Sequence, residues 1–132
     1  MVFLEVMFMK KWYAEEYAWE IEVIGFMHGN STVRYCRNGE EIGDKYTCTY
    51  GCPVNEEGEG ICSKCMMLMF PIMEAVRSGG SLDNIGGNSK YSKEIVCPDG
   101  CVIFRMTAKP LGNENFHKGN FFDYGSSEDK ND

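Results

Sequence analysis

The distribution of apolar and polar positions divides the chain into stretches of period two and one stretch without a polar face. In "WEIEVIGF", Trp19, Ile21 and Val23 alternate with Glu20 and Glu22, the pattern of a half-buried strand with one wet side. "HGNST" reads as a turn and "TVRYC" as a short strand before the "RNGEE" turn. "EIGDKYTCTY" predicts a strand entered through Gly43-Asp44, with Tyr46 and Cys48 on one face and Lys45 and Thr47 on the other. "KEIVC" and "CVIFRMTAK" read as a hairpin around Pro98-Asp99-Gly100, in whose second arm Val102, Phe104, Met106 and Ala108 alternate with Ile103, Arg105 and Thr107.

Between these strands, "ICSKCMMLMFPIMEAVRSGG" predicts the main helix. Its residues are good helix formers, Gly79-Gly80 is a stop signal, and Arg77 lies in the last turn, where a cation suits the helix dipole. Pro71 removes a backbone donor in the middle, so a kink or restart is expected there. From Cys65 to Met73 the helix is apolar almost all round, which implies burial on more than one side or a partner. "KKWYAEEYA", Lys10–Ala18, has the composition for two further helical turns. The fold class expected is α+β, an antiparallel sheet of about four strands with one kinked helix on one face. Residues 1–18 read as an N-terminal extension, 19–111 as the folded domain, and 112–132 as a Gly/Asn/Phe-rich tail, acidic and disordered at its end.

A chain of 132 residues has the size of one ordinary domain. Its 13 Lys and Arg against 20 Asp and Glu give a net charge of −7. The basic residues are scattered, and such a surface repels phosphate backbones, so nucleic acid is not an expected partner. No stretch reaches the roughly 20 apolar residues that span a bilayer. The opening "MVFLEVMFMKKWY" is interrupted by Glu5, has no basic residue ahead of its apolar run and leads to no small-residue cleavage site. The expectation is a cytoplasmic protein without a membrane contact.

Seven cysteines change this picture. In a reducing compartment structural disulfides are rare, and clustered thiols more often hold metal or do redox work. The thiols fall in four places: Cys36, Cys48 with Cys52, Cys62 with Cys65, and Cys97 with Cys101. Cys62-x-x-Cys65 opens the predicted helix, where free N–H groups and the dipole favour thiolates. "CPDGC" is knuckle-like, its Pro and Gly turning backbone N–H groups toward a sulfur. Two such pairs brought together would make a four-thiolate site for zinc or an iron-sulfur cluster, between which spacing does not choose. The competing readings are inert, buried core thiols and thiol chemistry at Cys62.

Other candidates carry less. His28 and His117 lie in turn-like polar contexts where histidine is ordinarily solvated. Gly79-Gly80 and Gly86-Gly87 lack the strand-to-helix setting of a phosphate loop. Met66, Met67, Met69 and Met73 suit a deformable core, though methionine-rich faces also serve partners. Asp44 and Asp99 flank turn glycines, where aspartate bonds its own backbone.

From Cys36 to Lys109 the order "C…GDKYT…GIC…P…RSGG…CPDG", closing on "VIF", resembles a family of small uncharacterised prokaryotic proteins frequent in anaerobes. These share a cysteine before a Gly-Asp/Gln strand, a Gly-Phe/Ile-Cys opening a helix, a Gly-Gly after it, and a Cys-x-Asp-Gly before the last strand. The positions carried over are Cys36, Gly43, Cys62, Gly79, Gly80, Cys97, Asp99 and Gly100, and the match covers a little over half the chain. The resemblance implies that a shared function rests on Cys36, Cys62 and Cys97, with Cys48, Cys52, Cys65 and Cys101 particular to this chain. The Trp-rich helix start of many members is missing, and the resemblance implies no reaction.

The expectation from these readings is a metal-binding domain with Cys36, Cys62 and Cys97 as core ligands, completed by one of Cys65, Cys101, Cys48 or Cys52. The alternatives are an accessory subunit that meets a larger oxidoreductase through its Met-rich helix or aromatic tail, and a thiol-redox protein using Cys62. With no recognisable acid/base pair or nucleotide loop, a stand-alone enzyme is the least favoured reading.

Overall fold

The computed structural model describes residues 15–27, 36 and 38–112. The alternation in the sequence becomes a four-stranded antiparallel sheet in the order β2-β1-β4-β3, formed by β1 (Tyr17–Phe26), β2 (Lys45–Cys48), β3 (Ser92–Val96) and β4 (Val102–Pro110). The first and last strands are thus the central pair, matched from Tyr17↔Pro110 to Phe26↔Val102 with an irregularity between Val23 and Gly25. Tyr17, Trp19, Ile21 and Val23 of β1 and Val102, Phe104, Met106 and Ala108 of β4 all point to one buried face. On the opposite face Glu20 lies 3.3 Å from Lys45 and 3.5 Å from Lys109, tying three strands. The Lys45 ammonium, against a little burial, holds the Glu20 carboxyl below its ordinary value.

The one α-helix among the described residues, α1 (Ser63–Arg77), covers the buried face with Cys65, Met69, Met73 and Val76, a stripe at helical spacing. It ends in a Schellman motif: Gly79 N–H bonds Val76 O at 2.9 Å and Gly80 N–H bonds Ala75 O at 2.8 Å. Gly79 supplies the left-handed φ of 95° that this ending requires. A short 3-10 turn (Leu82–Ile85) then buries Leu82 before β3.

One expectation is corrected and two are narrowed. Tyr17 and Ala18 are strand residues, because pairing with β4 and burial of the Tyr17 ring outweigh the helix propensity of "AEEYA"; the rest of Lys10–Ala18 up to Ala14 lies outside the described residues. Helix α1 runs through Pro71 without restarting. The carbonyl freed by that proline belongs to Met67, and both residues lie on the exposed side of the helix. The helix is also buried along one stripe only, leaving Met67 76%, Leu68 40% and Phe70 49% exposed. The "HGNST" turn, the "TVRYC" strand up to Tyr35 and the aromatic tail fall outside the described residues.

Candidate functional site

Three separate segments meet where the N-terminal end of α1 faces the β3–β4 hairpin. They enclose a cavity of about 250 Å³ lined by Cys36, Asn38 and Glu40 from the segment before β2, Cys62 to Cys65 from the helix start, Cys97 to Asp99 from the hairpin, and Val102 and Phe104 of β4. Of the five cysteines expected as ligands, Cys36, Cys62, Cys65 and Cys97 therefore share one cavity wall. Cys101 is buried beside them without lining the cavity, and Cys48 and Cys52 lie elsewhere. All seven cysteines are free thiols.

Each thiol is held by local structure that its sequence context dictates. Cys62 is the N-cap residue of α1 and makes no side-chain cap, so its sulfur does not take up the first-turn N–H groups. Cys65, one turn in, is buried. Burial first, then the facing Cys62 and Cys97 sulfurs, a hydrogen bond with Cys62 and the Glu40 carboxylate, push the Cys65 thiol well above its ordinary value.

The hairpin behaves as a knuckle. Gly100 N–H bonds Cys97 O at 2.8 Å, and Gly100 takes a φ of 75°. That turn aims the N–H groups of Cys101 and Val102 at Cys97 Sγ, each at 3.3 Å. Two backbone donors thus converge on one sulfur. Cys101 contributes to the site through its backbone. Across from the hairpin, Lys64 Nζ sits 3.3 Å from Asp99 Oδ1, an exposed pair that links the helix start to the turn.

In the third wall, Cys36 was expected and Glu40 was not. Glu40 is only 1% exposed. The Tyr46 hydroxyl donates to both of its carboxylate oxygens at 2.9 Å, and Asn38 Nδ2 donates to Oε2 at 2.7 Å. Burial and the Glu40 carboxylate raise the Tyr46 phenol far above its ordinary value. Nothing in "RNGEE" separates Glu40 from Glu41. The available signal was Tyr46, since an inward-facing tyrosine needs an acceptor for its hydroxyl.

Among the described residues, no group of three or more Cys, His, Asp or Glu side chains is arranged to hold an ion. No helix among the described residues is long and apolar enough to cross a membrane. In comparisons with known proteins, the chain matches no family model, no curated protein and no solved structure.

Proposed function

We propose that the chain is a small cytoplasmic metal-binding protein in which Cys36, Cys62, Cys65 and Cys97 hold zinc or an iron-sulfur cluster. The observation that carries this reading is the convergence of four thiols, from three separate chain segments, on one cavity. Ligands drawn from distant segments couple ion binding to folding, which is the usual economy of a structural thiolate site. The two backbone donors on Cys97 Sγ favour the same role, because a ligating thiolate keeps lone pairs for N–H groups. The motif resemblance agrees: its three cysteines, Cys36, Cys62 and Cys97, are all in the cavity wall, and we propose membership of that family on this ground.

Metal analysis with a visible spectrum on protein purified without oxygen tests the reading. About one zinc per chain without colour, or iron with sulfide and a brown absorbance, supports it. The variants Cys62→Ser and Cys97→Ser then lose the metal and melt lower. Metal-free protein with seven titratable thiols, and variants of unchanged melting temperature, overturn it.

One observation favours a second reading, a thiol-redox protein. The Cys62 and Cys65 side chains line the same cavity at a helix N-terminus, the setting in which the outer thiol of a Cys-x-x-Cys pair reacts. Selective alkylation of Cys62 in metal-free protein distinguishes it. The exposed Met67, Leu68 and Phe70 of α1 support the accessory-subunit reading, which recovery of an oxidoreductase partner from native lysate tests.

A further inference from the structure

A second thiol cluster lies outside the cavity. Thr47 and Val54 exchange both backbone hydrogen bonds, at 2.8 and 3.0 Å, and so close the loop 48–53 that contains Cys48 and Cys52. Cys52 is exposed and its thiol lies 3.5 Å from the Pro53 carbonyl; Cys48 is half-buried at the end of β2. Over the residues between them lies Arg77, the last residue of α1. Its Nη2 donates to Thr49 O at 2.7 Å, its guanidinium stands 5.2 Å from the Tyr50 ring centroid, and Nη1 donates to Glu74 Oε2 at 2.6 Å.

The Arg77 side chain is only 9% exposed, yet its Nε–H, also buried, has no partner among the described residues. A buried guanidinium N–H left unpaired is costly, and the groups around it invite an acceptor with negative charge. Cys48, one residue before the Thr49 carbonyl that Arg77 holds, acquires one on losing a proton. Burial pushes the Cys48 thiol up to about 11, the Arg77 charge acts in the opposite direction, and Cys52 and Glu15 add to the rise. The closed loop thus carries an exposed thiol, Cys52, and four residues before it a half-buried thiol, Cys48, that feels the Arg77 charge.

We propose that Cys48 and Cys52 form a redox-reversible dithiol/disulfide site across the Thr47–Val54 loop, with Arg77 positioning and stabilising the Cys48 thiolate. The oxidant is a small-molecule disulfide such as glutathione disulfide. The Cys52 thiolate attacks one sulfur of that disulfide, whose S–S bond breaks and whose other half leaves as a thiol after taking up a proton. Cys48 gives its proton to solvent and attacks Cys52 Sγ. The Cys48–Cys52 bond forms as the mixed disulfide breaks, and the second half leaves as a thiol. In total two cysteines lose two electrons and two protons, and the external disulfide becomes two thiols. The site is independent of the metal reading, since neither cysteine lines the cavity.

The test is incubation of the reduced full-length protein with glutathione disulfide, followed by acid quench, alkylation and peptide mapping. The expected product is a peptide in which Cys48 and Cys52 are cross-linked. Cys48→Ser should accumulate a stable glutathione adduct on Cys52. With Arg77→Gln, closure from the adduct should slow about tenfold below the thiol's own pKa, the equivalent of one unit, while adduct formation is unchanged; Arg77→Lys should recover most of the rate. Metal content measured on the same sample keeps this outcome separate from that of the cavity. Free, alkylatable Cys48 and Cys52 after full exposure, a cross-link from Cys52 to Cys62 instead, or closure as fast in Arg77→Gln as in the parent would each overturn the proposal.

Discussion

The Tyr46 hydroxyl donates to both oxygens of Glu40 at 2.9 Å, joining the core face of β2 to a buried carboxylate in the cavity wall. A buried carboxylate depends on donors that replace its lost water. Tyr46→Phe keeps the ring and removes one donor, so it should destabilise the fold by about 1–3 kcal/mol. Denaturant unfolding of parent and variant measures this. An unchanged midpoint would mean that water reaches Glu40 and that the cavity floor is wetter than its burial implies.

The Cys97 knuckle gives a second expectation. Gly100 occupies a left-handed φ of 75° with no atom within 4 Å of an added Cβ, so Gly100→Ala meets strain without a clash. The strain should cost about 1–2 kcal/mol. Because the same turn aims two N–H groups at Cys97 Sγ, the metal affinity proposed above should fall with it, while Asp99→Ala, which breaks only the exposed pair with Lys64, should leave both within about 0.5 kcal/mol. Competition with a chromophoric chelator separates the two variants.

The parts of the fold that could be read beforehand are those in which local pattern and tertiary demand agree. Trp19, Ile21 and Val23 alternate because one sheet face is buried, and Phe104 and Met106 do so for the same reason. Gly79 and Gly80 end α1 through the motif their positions suggest. Tyr17 misled because its segment is composed for a helix while its partner, Pro110, is 93 residues away. No local rule contains that pairing. The four-thiol wall was legible as loci, since Cys62-x-x-Cys65 and the Cys97 turn each carry a local signature, but which fourth thiol joins them depends on how α1 meets the hairpin. Glu40 and the place of Arg77 beside Cys48 are products of long-range packing and left no mark in the neighbouring residues.

The two faces of α1 should respond very differently to the same kind of change. Met69 is fully buried in the core, whereas Phe70 is 49% exposed. Met69→Ala should cost about 2–5 kcal/mol through lost burial and the cavity left behind. Phe70→Ser should change stability by no more than about 0.5 kcal/mol. If a partner covers the outer face, Phe70→Ser should weaken its capture without lowering the melting temperature. A large loss of stability from Phe70→Ser alone would show instead that this face is covered within the chain itself.

Alkaline pH offers the last prediction. In the unfolded chain Cys48 titrates near its ordinary 9.0, whereas burial in the fold pushes it up to about 11, against the pull of Arg77. Between those values the folded chain keeps a proton that the unfolded chain has lost. Fewer protons on the unfolded state make stability fall as pH rises. The contribution is therefore complete below about pH 9 and gone above about pH 11. Urea midpoints of the reduced, metal-free protein should decline across that window. Cys65 and Tyr46, also raised by burial, act in the same direction, so Cys48→Ala should flatten the decline without abolishing it. A parent protein whose midpoint rises through this range would contradict the burial of these groups, and identical slopes for parent and Cys48→Ala would show that the Cys48 thiol is as hydrated in the fold as in the unfolded chain.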